Sequence, residues 1–190
     1  MKLIVASQSP QRLAIVRALG LEVEQDPASI DERAVRHEDP IEQAKLIAEA
    51  KARAAGVRHL DSWIVAADTY CVVDGVVFEK PIDLNDARRM LREQSGKTTQ
   101  EVTGVALYNP TTDTMYSDTA VVQVTFRTLS EAEIEKYVTT QPVLTWSAAF
   151  SPAYVEGMVL IDSINGSFTG FTHGLPAEWL MDKLRTLGVQ

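Results

Sequence analysis

Cysteine, histidine and long apolar runs are all scarce in this sequence, and each shortage narrows what the protein can be. Cys71 is the one cysteine among 190 residues, so no disulfide can form within the chain, which agrees with a reducing compartment. The three histidines, His37, His59 and His173, lack the spacing of metal ligands. No apolar run approaches the roughly 20 residues that cross a bilayer, and the N-terminal apolar patch is too short for a signal peptide. We therefore expect a cytoplasmic protein without a membrane partner.

Positive charge is also in short supply, since 18 lysines and arginines face 26 aspartates and glutamates and leave a formal net charge of −8. A nucleic-acid backbone would on average be repelled, so we expect no nucleic-acid partner. A small anionic ligand stays possible, because one pocket can be basic within an acidic surface. The hydrophobic content of 45% is that of ordinary globular proteins, and 190 residues suit one generous domain or two small lobes that share a core.

Hydrophobic periodicity, caps and turn residues predict a mixed α/β fold in which helices interleave with strands. Predicted strands are Leu3–Ala6, Trp63–Ala67, Val102–Tyr108, Tyr116–Leu129 and Val159–Ile164. Predicted helices run from Pro10 to Leu19, from an Asp39 capping box to Gly56, over Leu84–Gln94, from a Ser130 capping box through Val138, and over Leu175–Leu187.

A β-hairpin offers the first candidate site. Asp74-Gly75 lies between two apolar runs and is typical of a two-residue hairpin turn. Such a turn pairs Cys71 with Phe78 and Asp68 with Pro81, which brings Asp68 and Glu79 to one face about 7–8 Å apart at Cα, close enough to share a metal ion. Lys80 follows directly. The alternative is a solvated strand end with an incidental ion pair.

The N-terminal stretch "ASQSPQR" offers a second candidate site. A strand, a polar turn and a helix capped by Ser9 present free backbone N–H groups and the positive end of a helix dipole, which suits phosphate. Arg12 lies in the first turn of that helix, where a cation opposes the dipole unless an anion offsets it. An ordinary cap with a solvated arginine explains the same residues equally well.

Lys51 and the pair Asp31-Glu32 are further candidates for the site. Lys51 interrupts a stripe of apolar residues on the helix that follows Asp39, and a buried lysine needs a phosphate or carboxylate partner. The alternative is that Lys51 extends from the edge of the stripe into solvent. Asp31-Glu32, just before this helix, could add a carboxylate, and the alternative is that both residues belong to a solvated loop. The sequence Ser95–Thr98, "SGKT", is not a P-loop, because Leu91 stands where that motif requires glycine.

Taken together, these residues resemble the Maf family of nucleotide pyrophosphatases. The matching stretches occur in the family's order along nearly the whole chain: "LIVASQSPQR", "DER", "AEAKARAA", "AADT", "EKP", "SGKT", "VTGVAL", "VTFRTLSEAEIEKYV" and "INGS…GLP". Each motif is short, and their shared order carries the resemblance.

The resemblance implies a two-lobed Maf/ITPase-like α/β fold over residues 1–190, with a mixed twisted sheet, flanking helices and a central cleft, often in a homodimer. It implies hydrolysis of a nucleoside triphosphate to the monophosphate and pyrophosphate with a divalent metal, Mg²⁺ or Mn²⁺. The roles carried over are catalysis for Asp68, Lys80 and Lys51, substrate binding for Ser7, Arg12, Thr69 and Lys80, and metal binding for Glu32, Asp68 and Glu79. Whether Asp68 is the general base or only a metal ligand stays open.

Departures from the family's pattern bear on the substrate. Gln11 stands where the family has the first of two arginines, Thr99 replaces a histidine, and residues 147–157, "SAAFSPAYVEG", lack the glutamine of a segment that helps to read the base. "AADT" and "EKP" favour the branch that hydrolyses dTTP and UTP. The alternatives are the same reaction on a modified or purine nucleotide, and a nucleotide-binding regulator of septum formation that has lost turnover.

Overall fold

A computed structural model describes residues 2–188 of the chain. Its strands are β1 (Lys2–Val5), β2 (Glu22–Gln25), β3 (Trp63–Val73), β4 (Val76–Phe78), β5 (Thr98–Asn109), β6 (Thr114–Phe126) and β7 (Ile161–Asn165). Its α-helices are α1 (Pro10–Arg17), α2 (Pro40–Gly56), α3 (Leu84–Gln94), α4 (Glu131–Thr140), α5 (Val155–Met158), α6 (Phe168–His173) and α7 (Ala177–Thr186). Short 3₁₀ turns lie at Glu32–Ala34, Val143–Thr145 and Ser147–Ala149.

The strands form one mixed sheet in the order β2-β1-β3-β5-β6-β7, with β4 paired to β3. Strand β1 runs parallel to β2 and to β3, whereas β4 and β7 are antiparallel to β3 and β6. With helices flanking this sheet, the predicted mixed α/β class is confirmed. None of the helices in the described range, 2–188, combines the length and apolar character needed to cross a membrane.

The chain divides into two compact units. The first unit comprises Met1–Asp68, Thr103–Ala120 and Ser167–Gln190, and the second comprises Thr69–Val102 and Val121–Gly166.

The core of the first unit lies on both faces of its strands. Odd-numbered residues such as Leu3, Val65 and Leu107 form one buried cluster, which also contains Val16 of α1 and Leu180 of α7. The even-numbered neighbours, Ile4, Ala6, Ile64, Ala66 and Ala106, form a second cluster with the alanines of α2. Successive side chains of a strand point to opposite faces, so strands covered on both sides read as continuous apolar runs.

Helix α2 packs very closely on the sheet because the contacting residues of the helix and of the sheet have small side chains. Its buried residues include Ala44, Ala48 and Ala55, as the predicted stripe requires, while Ile41 at the stripe's start is 38% exposed. Gly104 of β5 lies beneath Ala44, and a Cβ atom at Gly104 would overlap the carbonyl of Ala44. A glycine is therefore needed at this close backbone approach.

Gly104→Ala is expected to destabilise the protein by about 1–3 kcal/mol, because the added methyl group must push α2 away from the sheet. The colliding atoms belong to the backbone of α2 and cannot rotate aside. Urea unfolding of the variant and of the wild type measures the difference. Equal midpoints would show that α2 does not pack on the strand as tightly as described.

The caps follow the sequence prediction with one exception. Ser130 and Glu133 form the predicted capping box, and hydrogen bonds from Ser130 lower the pKa of Glu133 to about 2. Asp39 caps α2 by accepting from the N–H of Ile41. In a full capping box Glu42 would accept from the N–H of Asp39. Instead, this N–H donates to Nδ1 of His37, and Glu42 pairs with Lys45.

Other element boundaries differ from the prediction. Helix α1 ends at Arg17, before Leu19, and β7 begins at Ile161. The largest difference concerns β3, which continues through Asp68 to Val73 and does not end at Ala67. Helix α6 was not predicted, because its six residues are too few for a periodic pattern.

Candidate active site

Asp68 lies within β3, on the face of the strand that packs against α2. It continues the series Ile64 and Ala66, which are buried under that helix. Asp68 itself is only 9% exposed. A carboxylate this deeply buried requires a charged or hydrogen-bonding partner.

Lys51 of α2 supplies that partner. Its Nζ donates to Oδ1 of Asp68 at 2.7 Å and pairs with Oε1 of Glu32 at 2.8 Å. Lys51 is buried, as the stripe on α2 predicts, so the alternative of a lysine extended into solvent is wrong. Glu32 begins the 3₁₀ turn Glu32–Ala34, and its side chain remains 53% exposed. The ammonium group of Lys51 therefore contacts two carboxylates, that of the buried Asp68 and that of the more exposed Glu32.

Arg12 is held in place by groups from two other parts of the first unit. Ser9 caps α1 and accepts from the N–H of Arg12, as predicted. The guanidinium donates from Nη1 to Oγ of Ser7 at 3.2 Å and from Nε to the carbonyl of Gly174 at 2.9 Å. Burial lowers the pKa of Arg12 below its usual value, while the carboxylates of Asp68 and Glu32 act in the opposite direction. Arg12 is thereby oriented and is not an ordinary solvated arginine.

The first unit therefore brings together five of the residues singled out in the sequence. They are Ser7, Arg12, Glu32, Lys51 and Asp68. Two cations and two carboxylates from β3, α1, α2 and the Glu32 turn form a partly desolvated group, where electrostatic interactions are stronger than in water. Such a group can bind an anion through Arg12 and Lys51 and can accept a proton at a carboxylate.

The second unit contains the remaining candidates: Thr69, Glu79 and Lys80. The predicted hairpin register is confirmed, with Val73 opposite Val76 and Cys71 opposite Phe78. Pairing ends there, so the expected Asp68–Pro81 pair is not part of the ladder, and Glu79 and Lys80 follow the end of β4 as exposed residues. The backbone carbonyl of Glu79 accepts from the N–H of Ala148 at 3.0 Å.

The segment that departs from the family's pattern has an unusual backbone. Ala148 and Ala149 both have positive φ, 54° and 59°, a region that favours glycine, and both are fully buried. Gln94 of α3 holds them by donating to the carbonyl of Ala148 at 2.9 Å. The rings of Trp146 and Tyr154 pack on each other, with centroids 5.0 Å apart.

Sequence reasoning missed three features of functional interest. Gly174 orients Arg12 through its backbone carbonyl, and such a contact cannot be recognised from the type of side chain in the sequence. Gln94 is fully buried, and the available signal was its helical spacing, because it shares one face of α3 with the buried residues Ala87, Met90 and Leu91. Glu101 of β5 is 9% exposed, and burial raises its pKa to about 7, an effect that a hydrogen bond from Cys71 opposes. The buried environment in turn raises the pKa of the Cys71 thiol. The position of Glu101 directly before the apolar run that begins at Val102 was the available hint.

The chemistry of Glu32 and Asp68 suits a divalent cation. Both carboxylates contact one ammonium, so their nearest oxygens lie within about two hydrogen-bond lengths of each other. Mg²⁺ is commonly bound by one or two carboxylates and keeps several waters, and Mn²⁺ accepts similar oxygen ligands. Within residues 2–188 no group of three or more histidine, cysteine, aspartate or glutamate side chains is arranged to hold a metal.

Two solved structures share the fold of this chain. The HAM1 protein from Coxiella burnetii matches with a TM-score of 0.56 over 98% of this chain and 99% of its own, at 14% sequence identity. The Staphylococcus aureus Ham1 protein matches with a TM-score of 0.53 over 98% of each chain, at 13% identity. At such identities the likeness shows the fold alone, and it confirms the predicted fold class.

Sequence comparison is more specific. Residues 2–187 match the Maf-like protein family, and the chain belongs to that family. A relative from Chromobacterium violaceum named dTTP/UTP pyrophosphatase is 37% identical over 93% of this chain and 90% of its own length. Relatives of the same name from Geobacter metallireducens and Geobacter sulfurreducens are 32% and 33% identical, over 98% of this chain and 96% and 97% of theirs. The resemblance drawn from the motifs is confirmed.

Proposed function

We propose that this protein is a nucleoside triphosphate pyrophosphatase that hydrolyses dTTP or UTP to the nucleoside monophosphate and pyrophosphate. The observation that carries the proposal is the buried Asp68–Lys51 pair, with Glu32 on the same ammonium and Arg12 nearby. The names of the full-length relatives support both the reaction and the pyrimidine substrate.

The proposed hydrolysis forms one phosphorus–oxygen bond and breaks another. A water oxygen attacks the α-phosphorus, the bond from that phosphorus to the α–β bridging oxygen breaks, and pyrophosphate leaves. In this proposal Asp68 orients the water and accepts its proton, or acts only as a metal ligand; its hydrogen bond from Lys51 supports a role as an ionised carboxylate. Arg12 and Lys51 stabilise the negative charge that builds on the phosphate oxygens. Ser7 fixes the guanidinium of Arg12 through its Oγ.

A divalent cation, Mg²⁺ or Mn²⁺, is part of the proposal. Glu32 and Asp68 would hold it, and Glu79 is proposed as a further ligand from its place in the "EKP" motif. The bound cation would neutralise charge on phosphate oxygens. Thr69 and Lys80 keep their proposed roles in substrate binding, and Lys80 also in catalysis, because they occupy the "AADT" and "EKP" motifs of the family.

Pyrophosphate release tests this function across a panel of nucleotides. With Mg²⁺ or Mn²⁺, we expect dTTP and UTP to be hydrolysed with a kcat/KM at least about tenfold above those of CTP, ATP and GTP, which corresponds to roughly 1.4 kcal/mol of discrimination. Reactions with EDTA serve as the metal-free control. Modified pyrimidine and purine triphosphates complete the panel.

If the protein hydrolyses only a modified or purine nucleotide, the proposed reaction stands, but dTTP and UTP are not its substrates. The missing glutamine in residues 147–157 makes this outcome worth testing. Folded protein that releases no pyrophosphate from any nucleotide would contradict the enzyme assignment. Nucleotide binding without turnover would then favour the non-catalytic regulator.

A further inference from the structure

Glu32 is carried by an exposed loop that has little apolar packing of its own. In this Glu32 loop, residues 26–39, no residue is buried. Ala28 is a partly buried contact with the apolar cluster under α2. A segment with so few buried apolar contacts opens at low free-energy cost unless polar attachments hold it. The position of the Glu32 carboxylate therefore depends on how the loop is attached.

The first end of the loop is attached through Asp26 to the segment that directly follows α2. Oδ2 of Asp26 accepts from Nε and Nη2 of Arg58, at 2.8 Å and 2.7 Å, and lies 2.7 Å from Nε2 of His59. Arg58 also donates from Nη2 to the carbonyl of Pro27 and from Nη1 to that of Ala54, so it bridges the loop and the helix. Two donors on one carboxylate oxygen form a charge-assisted attachment.

The backbone reinforces this attachment. The N–H of Asp26 donates to the carbonyl of Val5 at the end of β1. Hydrogen bonds from Arg58 and His59 also lower the pKa of Asp26, so this carboxylate stays ionised at neutral pH.

The other end of the loop is attached to the N-terminal end of α2. The N–H of His37 donates to Oε1 of Gln43, and Asp39 caps the helix. The loop is thus fixed at both ends of α2, and between these points Glu32 reaches Lys51, near the middle of the helix. Without the side-chain attachment of Asp26, that end of the loop would be held by the end of β2 and by the backbone hydrogen bond of Asp26 to Val5, and the residues between Asp26 and Glu32 could shift relative to α2.

We infer that Asp26, held by Arg58 and His59, is a positioning residue that fixes the carboxylate of Glu32 for divalent-cation binding. The inference rests on the proposed function, in which Glu32 is a metal ligand. Asp26 acts through the loop backbone, and its substitution should weaken cation binding without removing a ligand. Residues that orient a metal ligand typically contribute 10–100-fold to metal affinity.

Mn²⁺ binding to the nucleotide-free full chain, measured by titration calorimetry, tests the inference. Asp26→Asn keeps the size of the side chain but removes its charge, and we expect its Kd for Mn²⁺ to be about tenfold higher than that of the wild type. In a Glu32→Gln background the same substitution should have no further effect, because the ligand it positions is already lost. Arg58→Gln replaces Asp26→Asn if the latter does not fold.

Asp113→Asn is the matched control. Asp113 also pairs with an arginine of α2, since Oδ1 accepts from Nη1 of Arg53 at 2.7 Å, but it does not belong to the Glu32 loop. Its Mn²⁺ affinity should equal that of the wild type. Wild-type binding that Glu32→Gln weakens and Asp26→Asn leaves unchanged would overturn the positioning role alone. A wild type that binds no Mn²⁺ would overturn it together with the proposed metal site.

Discussion

Asp68→Asn is expected to lower pyrophosphate release by about 10²–10⁴-fold, the range that a positioned general base contributes. The amide keeps the shape of the side chain, and its oxygen can still accept from Nζ of Lys51, so the group of residues in the first unit should stay assembled. What disappears is the ability to take a proton from water. Steady-state assays on the nucleotide that the wild type prefers measure the loss in kcat and in KM separately.

The same variant separates the two roles open to Asp68. If it acts as a base, kcat should fall while the Kd for Mn²⁺ stays close to that of the wild type. If Asp68 is mainly a metal ligand, Mn²⁺ binding should weaken as much as in Glu32→Gln. A variant that retains wild-type turnover and a wild-type Kd for Mn²⁺ would remove Asp68 from the site. Circular dichroism must first show that the variant folds.

Local patterns in the sequence were sufficient where a short-range rule determines the structure. The Asp74-Gly75 turn set the hairpin register, because both residues adopt positive φ, as this turn type requires. The stripe on α2 placed Lys51 under the sheet for a similar reason, since helical spacing alone decides which residues share a face. Those two patterns located the second-unit hairpin and the buried cation of the first unit.

Long-range contacts are what the sequence could not reveal. That Lys51 meets Asp68 depends on α2 packing on the even-numbered face of β3, a tertiary arrangement that no window of sequence contains. The contact of Arg12 with Gly174 joins residues at opposite ends of the chain through a backbone carbonyl. The predicted end of β3 was wrong because a charged residue in an apolar run suggests a strand terminus, whereas Asp68 lies within the strand and pairs with Lys51.

Glu101 is buried although the sequence pattern did not predict it, and its burial affects how the stability of the protein depends on pH. It lies on β5 of the second unit, with the Cys71 thiol facing it from β3. Cys71 in turn donates to Oε1 of Gln94 on α3, and a hydrogen bond with Thr99 acts to lower the pKa of the thiol. The groups that influence the Glu101 carboxyl here are uncharged at neutral pH, because burial raises the pKa of the thiol. Ionised Glu101 is therefore poorly stabilised in the folded protein.

The direction of the pH effect follows from the raised pKa. Burial raises the pKa of Glu101 to about 7 in the folded protein, from the ordinary 4.5 of an exposed glutamate. Between these values the folded protein binds the extra proton, so the free energy of unfolding falls as the pH rises through this window. The stabilisation is complete below the unfolded pKa and is lost above the folded one. The shift corresponds to a loss of roughly 3 kcal/mol at about 1.4 kcal/mol per pKa unit.

Glu101→Gln should therefore stabilise the protein at pH 8 by up to roughly 3 kcal/mol and leave its stability at pH 4.5 nearly unchanged, because the amide cannot ionise. Urea unfolding of the variant and the wild type at both pH values gives the two differences, and comparing them cancels the other titrating groups. Glu22→Gln, at an exposed position of β2, is the matched control for exchanging a glutamate for a glutamine. An equal effect of Glu101→Gln at both pH values would mean that Glu101 is already ionised in the fold, with a cation or water compensating its charge.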